Sequence, residues 1–113
     1  MKTTDIFVYG SLRKGGSNHS LLASSKFIGR AKTVQKLIMR AHAFPFVSDD
    51  QQVSFIHGEV YRVNRSVLRM VDRLESYDVL SPENSWYERE EILVKMDDDD
   101  LQSPRKVAMY FNR

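Results

Sequence analysis

Ile6-Phe7-Val8-Tyr9-Gly10-Ser11-Leu12-Arg13-Lys14-Gly15-Gly16-Ser17 runs from a buried-strand pattern straight into a loop able to present bare backbone amides. β-Branched and aromatic residues ahead of a glycine break predict a strand over residues 5–9. Three of the five glycines in the chain lie in this stretch, and glycine tolerates backbone angles and close ligand approaches that a Cβ would block. The amides of Gly10, Ser11 and Leu12 could therefore face a carboxylate or a developing oxyanion. A glycine-rich turn that merely closes a strand fits the same residues.

The loop also comes close to a phosphate-binding P-loop. Gly10 and Gly15 have the spacing of G-x-x-x-x-G-K-[ST], and Ser17 falls at the final hydroxyl position. Gly16 stands where the lysine that reaches the β- and γ-phosphates should be, and Lys14 precedes the second glycine instead of following it. No apolar strand ending in a metal-binding Asp accompanies the loop, so nucleotide hydrolysis is set aside.

Working outward, residues 18–23 could make one helical turn, capped by Ser17 or Asn18. Residues 36–39 and 43–47 read as strand pieces divided near His42, with Pro45 favouring an edge or bend, and residues 48–52 as a turn. The clearest strand after the first covers residues 53–63. Period two puts Val60 on one face and Glu59, Tyr61 and Val63 on the other. Asn64 is a plausible N-cap for a helix whose Val67, Met70, Val71 and Leu74 fall at i, i+3, i+4 and i+7, ending within residues 75–77. Residues 78–85, with Pro82, read as a surface loop or flap. Residues 89–95 and 106–111 resemble two strands joined by residues 97–104. This order of elements predicts a mixed α+β fold rather than regular βα alternation.

Composition bounds the function. The 113 residues suit one domain over 1–113, too short for separate cofactor and substrate domains. The net charge of +2 arises from scattered basic residues, and residues 97–100 are four aspartates. A nucleic-acid surface clusters its Lys and Arg, so no nucleic-acid partner is expected. Absence of cysteine excludes disulfides and thiolate metal sites and suits a reducing compartment. The apolar run at residues 6–9 is too short for a signal-peptide core, and no stretch is long enough to span a membrane. The expected setting is soluble and cytoplasmic.

The histidines, His19, His42 and His57, are scattered, and His57-Gly58-Glu59 is only the H-x-E fragment of a zinc deaminase without its cysteines. No metal is expected there, nor calcium on residues 97–100, which lack the glycine and distal glutamate of a calcium loop. Among the carboxylates, Glu75 follows the apolar stripe directly after Leu74, at the helix C-terminus. If Leu74 faces inward, the carbonyl end of the macrodipole and partial burial both raise the Glu75 pKa, giving a group that accepts and donates a proton near neutrality. An exposed glutamate fraying from the helix is the alternative. Asp72, Glu83 and Glu88 are secondary candidates.

Taken together, Val8-Tyr9-Gly10-Ser11-Leu12, Gly58-Glu59-Val60-Tyr61, Leu74-Glu75 after a helix, and Tyr87-Glu88-Arg89 before a strand resemble the γ-glutamylcyclotransferase-like family over most of the chain. The resemblance implies a small mixed β-barrel with flanking helices. It implies Glu75 as general acid/base, and Tyr9, Gly10, Ser11, Leu12 and Tyr87 around a small-molecule γ-glutamyl substrate. The implied reaction is intramolecular aminolysis, releasing 5-oxoproline and an amine without metal or organic cofactor. A non-catalytic module using the same cavity for a small carboxylate or peptide end is the other reading.

Overall fold

The computed structural model describes residues 2–10, 12–16, 19–40, 46–48, 52–74, 88–97 and 104–111. Strand β1 (Thr3–Val8) leads through the glycine loop to a 3-10 turn (His19–Leu22), then to β2 (Lys26–Thr33), β3 (Ile38–Arg40) and β4 (Phe46–Ser48). Strand β5 (His57–Asn64), helix α1 (Arg65–Leu74), β6 (Glu88–Met96) and β7 (Arg105–Phe111) complete the order.

Five strands close into a barrel in the order β1-β5-β2-β6-β7. Antiparallel ladders join β1 to β5, from Thr3 opposite Asn64 to Val8 opposite Glu59, and β6 to β7, from Glu88 opposite Phe111 to Val94 opposite Arg105. A single parallel pairing, Ile6 with Ala108, seals β1 against β7. Among the described residues, closure leaves the barrel strands no long unpaired edge of the kind that templates aggregation. The short β3–β4 ribbon sits outside this ring, and its Val47 joins the barrel core.

Period-two alternation sorts the barrel into two buried layers. Phe7, Val60, Val107, Met109 and Phe111 point inward. Ile6, Val8, Tyr61, Val63 and Tyr110 point outward, where Leu22, Val67 and Val71 from the 3-10 turn and α1 cover them. Strands β1, β5 and β7 are thus buried on both faces, which is why they read as apolar runs. Gly58 is demanded by the first layer: a Cβ there would collide with the Val8 carbonyl oxygen and lie 2.7 Å from the Phe7 ring.

The α+β barrel agrees with expectation, but three local readings need correction. Residues 26–33, unassigned from sequence, form strand β2, which stands between β5 and β6 in the barrel. Its fully buried positions are Gly29, Ala31 and Thr33, with Ile28 partly buried against the core at a register shift, so the strand has no regular run of large apolar residues. The strand expected over residues 53–63 starts only at His57. Upstream, Ser54 leaves the barrel to exchange two backbone hydrogen bonds with Leu37, and Ile56 N–H donates to the Thr33 hydroxyl at 3.0 Å. Leu74, expected to face inward, is 38% exposed, and Met70 is 40% exposed. The buried face of α1 instead carries Val67, Val71 and Asp72, because a polar anchor rolls the helix toward Asp72. Residues 41–45, 49–51 and 78–85 lie outside the described residues.

Candidate functional site

The site begins where β1 ends. Tyr9 turns into the barrel core, where its O–H donates to the Tyr110 carbonyl at 2.8 Å and its oxygen accepts the Val47 N–H at 3.3 Å. The loop that follows folds as consecutive turns. Arg13 N–H donates to Gly10 O (3.1 Å), Gly16 N–H to Arg13 O (2.7 Å), and His19 N–H to Gly16 O (3.2 Å). Gly15 has φ of +86°, a left-handed conformation that costs a residue with a side chain about 1–2 kcal/mol. Leu12 buries its side chain in the outer layer, and its carbonyl lies 3.0 Å from His19 Nδ1. Among the described residues, the N–H groups of Gly10 and Leu12 find no partner. Ser11 lies outside the described residues.

The barrel wall grips this loop through Glu59. Its Oε1 accepts the Lys14 N–H at 2.8 Å and the Tyr61 O–H at 3.1 Å. Tyr61 is buried beneath the His19 ring, with centroids 5.7 Å apart. Burial first, then the hydrogen bond and negative charge of Glu59, push the Tyr61 phenol up to about 12, since both disfavour a phenolate. The sequence reading placed Glu59 on the Tyr61 face without giving it a task. The i, i+2 carboxylate–phenol pair on a strand was the signal available.

The second part of the site is the C-terminal half of α1. Asn64 caps the helix, its side-chain oxygen accepting the Val67 N–H at 2.9 Å, as its sequence position predicts. Asp72 is buried at 6% exposure. It accepts two hydrogen bonds from Arg89 Nη1, at 2.9 and 2.8 Å, and one from the Tyr110 hydroxyl at 2.5 Å. Burial and the Asp72 carboxylate drive the Tyr110 phenol well above its ordinary range. Asp72, a secondary acid/base candidate from sequence, is therefore committed to pinning α1 to β6 and β7. Glu75, Glu83 and Tyr87 lie outside the described residues, as does the side chain of Glu88.

Among the described residues, no group of three His, Asp or Glu side chains could hold a metal ion, and no helix is long and apolar enough to cross a membrane. The described geometry supplies backbone donors on a braced loop and a helix end fixed by a partly buried ion pair.

Similarity to known proteins gives this geometry its context. A Methanocaldococcus jannaschii protein bearing a gamma-glutamylcyclotransferase name on a provisional footing is 40% identical over 93 residues, which cover 81% of this chain and 72% of that protein. Gamma-glutamylaminecyclotransferase C of Danio rerio is 34% identical over 108 residues, covering 85% of this chain and 65% of its own length. The crystal structure of a mouse AIG2-like protein superposes with a TM-score of 0.80 at 24% identity, covering 99% of this chain and 78% of that one. A family model, gamma-glutamyl cyclotransferase, AIG2-like, matches residues 6–113. With the second half of β1, its glycine loop, the capped helix and the closing strands all inside that match, the chain belongs to the gamma-glutamyl cyclotransferase, AIG2-like family.

Proposed function

We propose that this chain converts a γ-glutamyl amine or peptide to 5-oxoproline and a free amine by intramolecular aminolysis, with Glu75 as the acid/base and residues 9–12 as the substrate cradle. The observation that carries this reading is the pair of amides, Gly10 and Leu12 N–H, without partners among the described residues, on a loop braced against the barrel. Such donors suit the oxyanion of a tetrahedral intermediate.

The chemistry needs little else. The substrate's α-ammonium gives a proton to the Glu75 carboxylate, and the freed nitrogen attacks the γ-carbonyl carbon. A ring C–N bond forms, and the carbonyl oxygen takes the negative charge. Collapse of the intermediate breaks the bond to the departing nitrogen, which receives the proton back from Glu75, and the ring nitrogen passes its remaining extra proton through the regenerated Glu75 carboxylate to the freed amine, leaving a neutral lactam. Because the nucleophile belongs to the substrate, no activated Ser or Cys is required, and holding the two substrate ends together supplies much of the acceleration.

Helical periodicity supports the Glu75 assignment. Glu75 follows the buried Val71 and Asp72 by four and three positions in sequence, the spacing that joins residues on one helical face. Leu74 does not support it, being exposed. The zebrafish relative's name places an amine as the leaving group, which puts γ-glutamyl amines first in the test. The experiment is release of 5-oxoproline from a panel of γ-glutamyl amines and peptides. Product from at least one member is the expected result. Calorimetric binding without product would instead assign the chain as a binding module.

A further inference from the structure

We infer that Glu59 is a positioning residue for the substrate loop, acting from the barrel wall through the Lys14 amide. This inference rests on the cyclotransferase reading above. Glu59 and Lys14 are 45 positions apart in sequence and 2.8 Å apart in the fold. The carboxylate is thus a long-range tie between β5 and a loop whose other described backbone hydrogen bonds are local turns.

Two further contacts fix Glu59 itself. It is carried on β5 directly opposite Val8, the last residue of β1, so its backbone is set by the same ladder that ends at the loop. Its Oε1 also takes the Tyr61 hydroxyl, and the Tyr61 ring is held between His19 and Phe27, at 5.7 and 5.3 Å between centroids. His19 in turn meets the Leu12 carbonyl. The result is a closed circuit: Leu12, His19, Tyr61, Glu59, Lys14. It brackets the loop on both sides of Arg13 while leaving the Gly10 and Leu12 N–H groups outside the circuit.

Glu59 bonds only to N–H and O–H donors in this circuit, so what the loop requires is an acceptor at this place, and a neutral amide oxygen can serve. Glu59→Ala should lower kcat/KM by roughly 10- to 100-fold, the scale of a misplacement of about 1 Å at a reacting centre. Lys14 amide hydrogen exchange should accelerate by about 10-fold or more as its bond is lost. Glu59→Gln should recover activity to within about 3-fold of the parent protein, because its amide oxygen still accepts from Lys14 N–H. Tyr61→Phe removes one strut only and should fall between the two.

Unchanged Lys14 exchange in Glu59→Ala overturns the inference, and so does a Glu59→Gln variant as impaired as Glu59→Ala. If Glu59→Ala does not fold, Lys14 exchange and kcat/KM in Tyr61→Phe and Glu59→Gln decide by the same criteria. The exchange measurement does not depend on turnover. A parent protein that releases no 5-oxoproline from any panel member would sink the proposed function, while Lys14 exchange would still judge the tie.

Discussion

The loop after β1 and the end of α1 are both fastened by a carboxylate, yet the two fastenings differ in kind. Glu59 accepts from an amide and a phenol, and its partners stay neutral in the working range. Asp72 is buried and faces the Arg89 guanidinium as well as a phenol. A buried charge stripped of its counterion costs far more than a lost neutral hydrogen bond. The helix end is thus bound to the integrity of the barrel, whereas the loop can be loosened without unfolding it.

The sharpest test of that difference is Glu75→Gln. The helix anchor is Asp72, so the fold should survive while cyclisation falls by about 10²- to 10⁴-fold, the usual contribution of a general acid/base. Full turnover on a confirmed substrate would remove Glu75 from the mechanism. Asp72→Ala should act in the opposite sense and strike stability first. Arg89 is partly exposed, so we expect a loss of about 2–3 kcal/mol, below the 3–5 kcal/mol of fully buried pairs. Chemical denaturation measures it, and a loss as small as that of Glu59→Ala would erase the contrast.

Asn64→Ala tests the other end of the same helix. Loss of the cap should cost about 1 kcal/mol, read as a lower denaturation midpoint at unchanged slope. The smallest effect is confined to alkali and belongs to the loop. The Tyr61 pKa is 10.0 in its ordinary state and about 12 in the fold. A raised native pKa favours the protonated phenol, so its contribution is complete below pH 10 and fades as pH rises toward 12. The melting temperature of the parent protein should therefore converge on that of Tyr61→Phe across this window, and parallel curves would mean that neither burial nor Glu59 raises the phenol's pKa.

Sequence patterning recovered those parts of the fold that bury large side chains on a regular period. β1, β5, β7 and the capped helix announce themselves through residues such as Phe7, Val60, Met109 and Val71. β2 was silent because Gly29, Ala31 and Thr33 face the core, where small residues make room for neighbours and leave no hydrophobic rhythm. Leu74 misled for a related reason: the apolar stripe was correctly counted, but Asp72 buries itself on Arg89 and Tyr110 and turns the helix. A polar residue that is buried because a distant strand supplies its partner leaves no local mark. The tasks of Glu59 and Asp72 both depend on partners far away in sequence, 45 positions for Lys14 and 17 and 38 for Arg89 and Tyr110. In contrast, the loop glycines and the Asn64 cap act within a few residues of themselves and could be read directly.

The hydrogen bond from Tyr9 to the Tyr110 carbonyl joins positions 101 residues apart, beside the parallel seam of Ile6 and Ala108. Contacts of such sequence separation must await closure of nearly the whole chain, and that entropy is spent before the contact rewards it. The strand that leads into the glycine loop is thus sealed by a strand 101 positions later in the sequence. The glycine loop takes its folded shape as the barrel shuts, so recovery of the proposed cyclotransferase activity on refolding should coincide with the slowest structural phase and report completion of the fold.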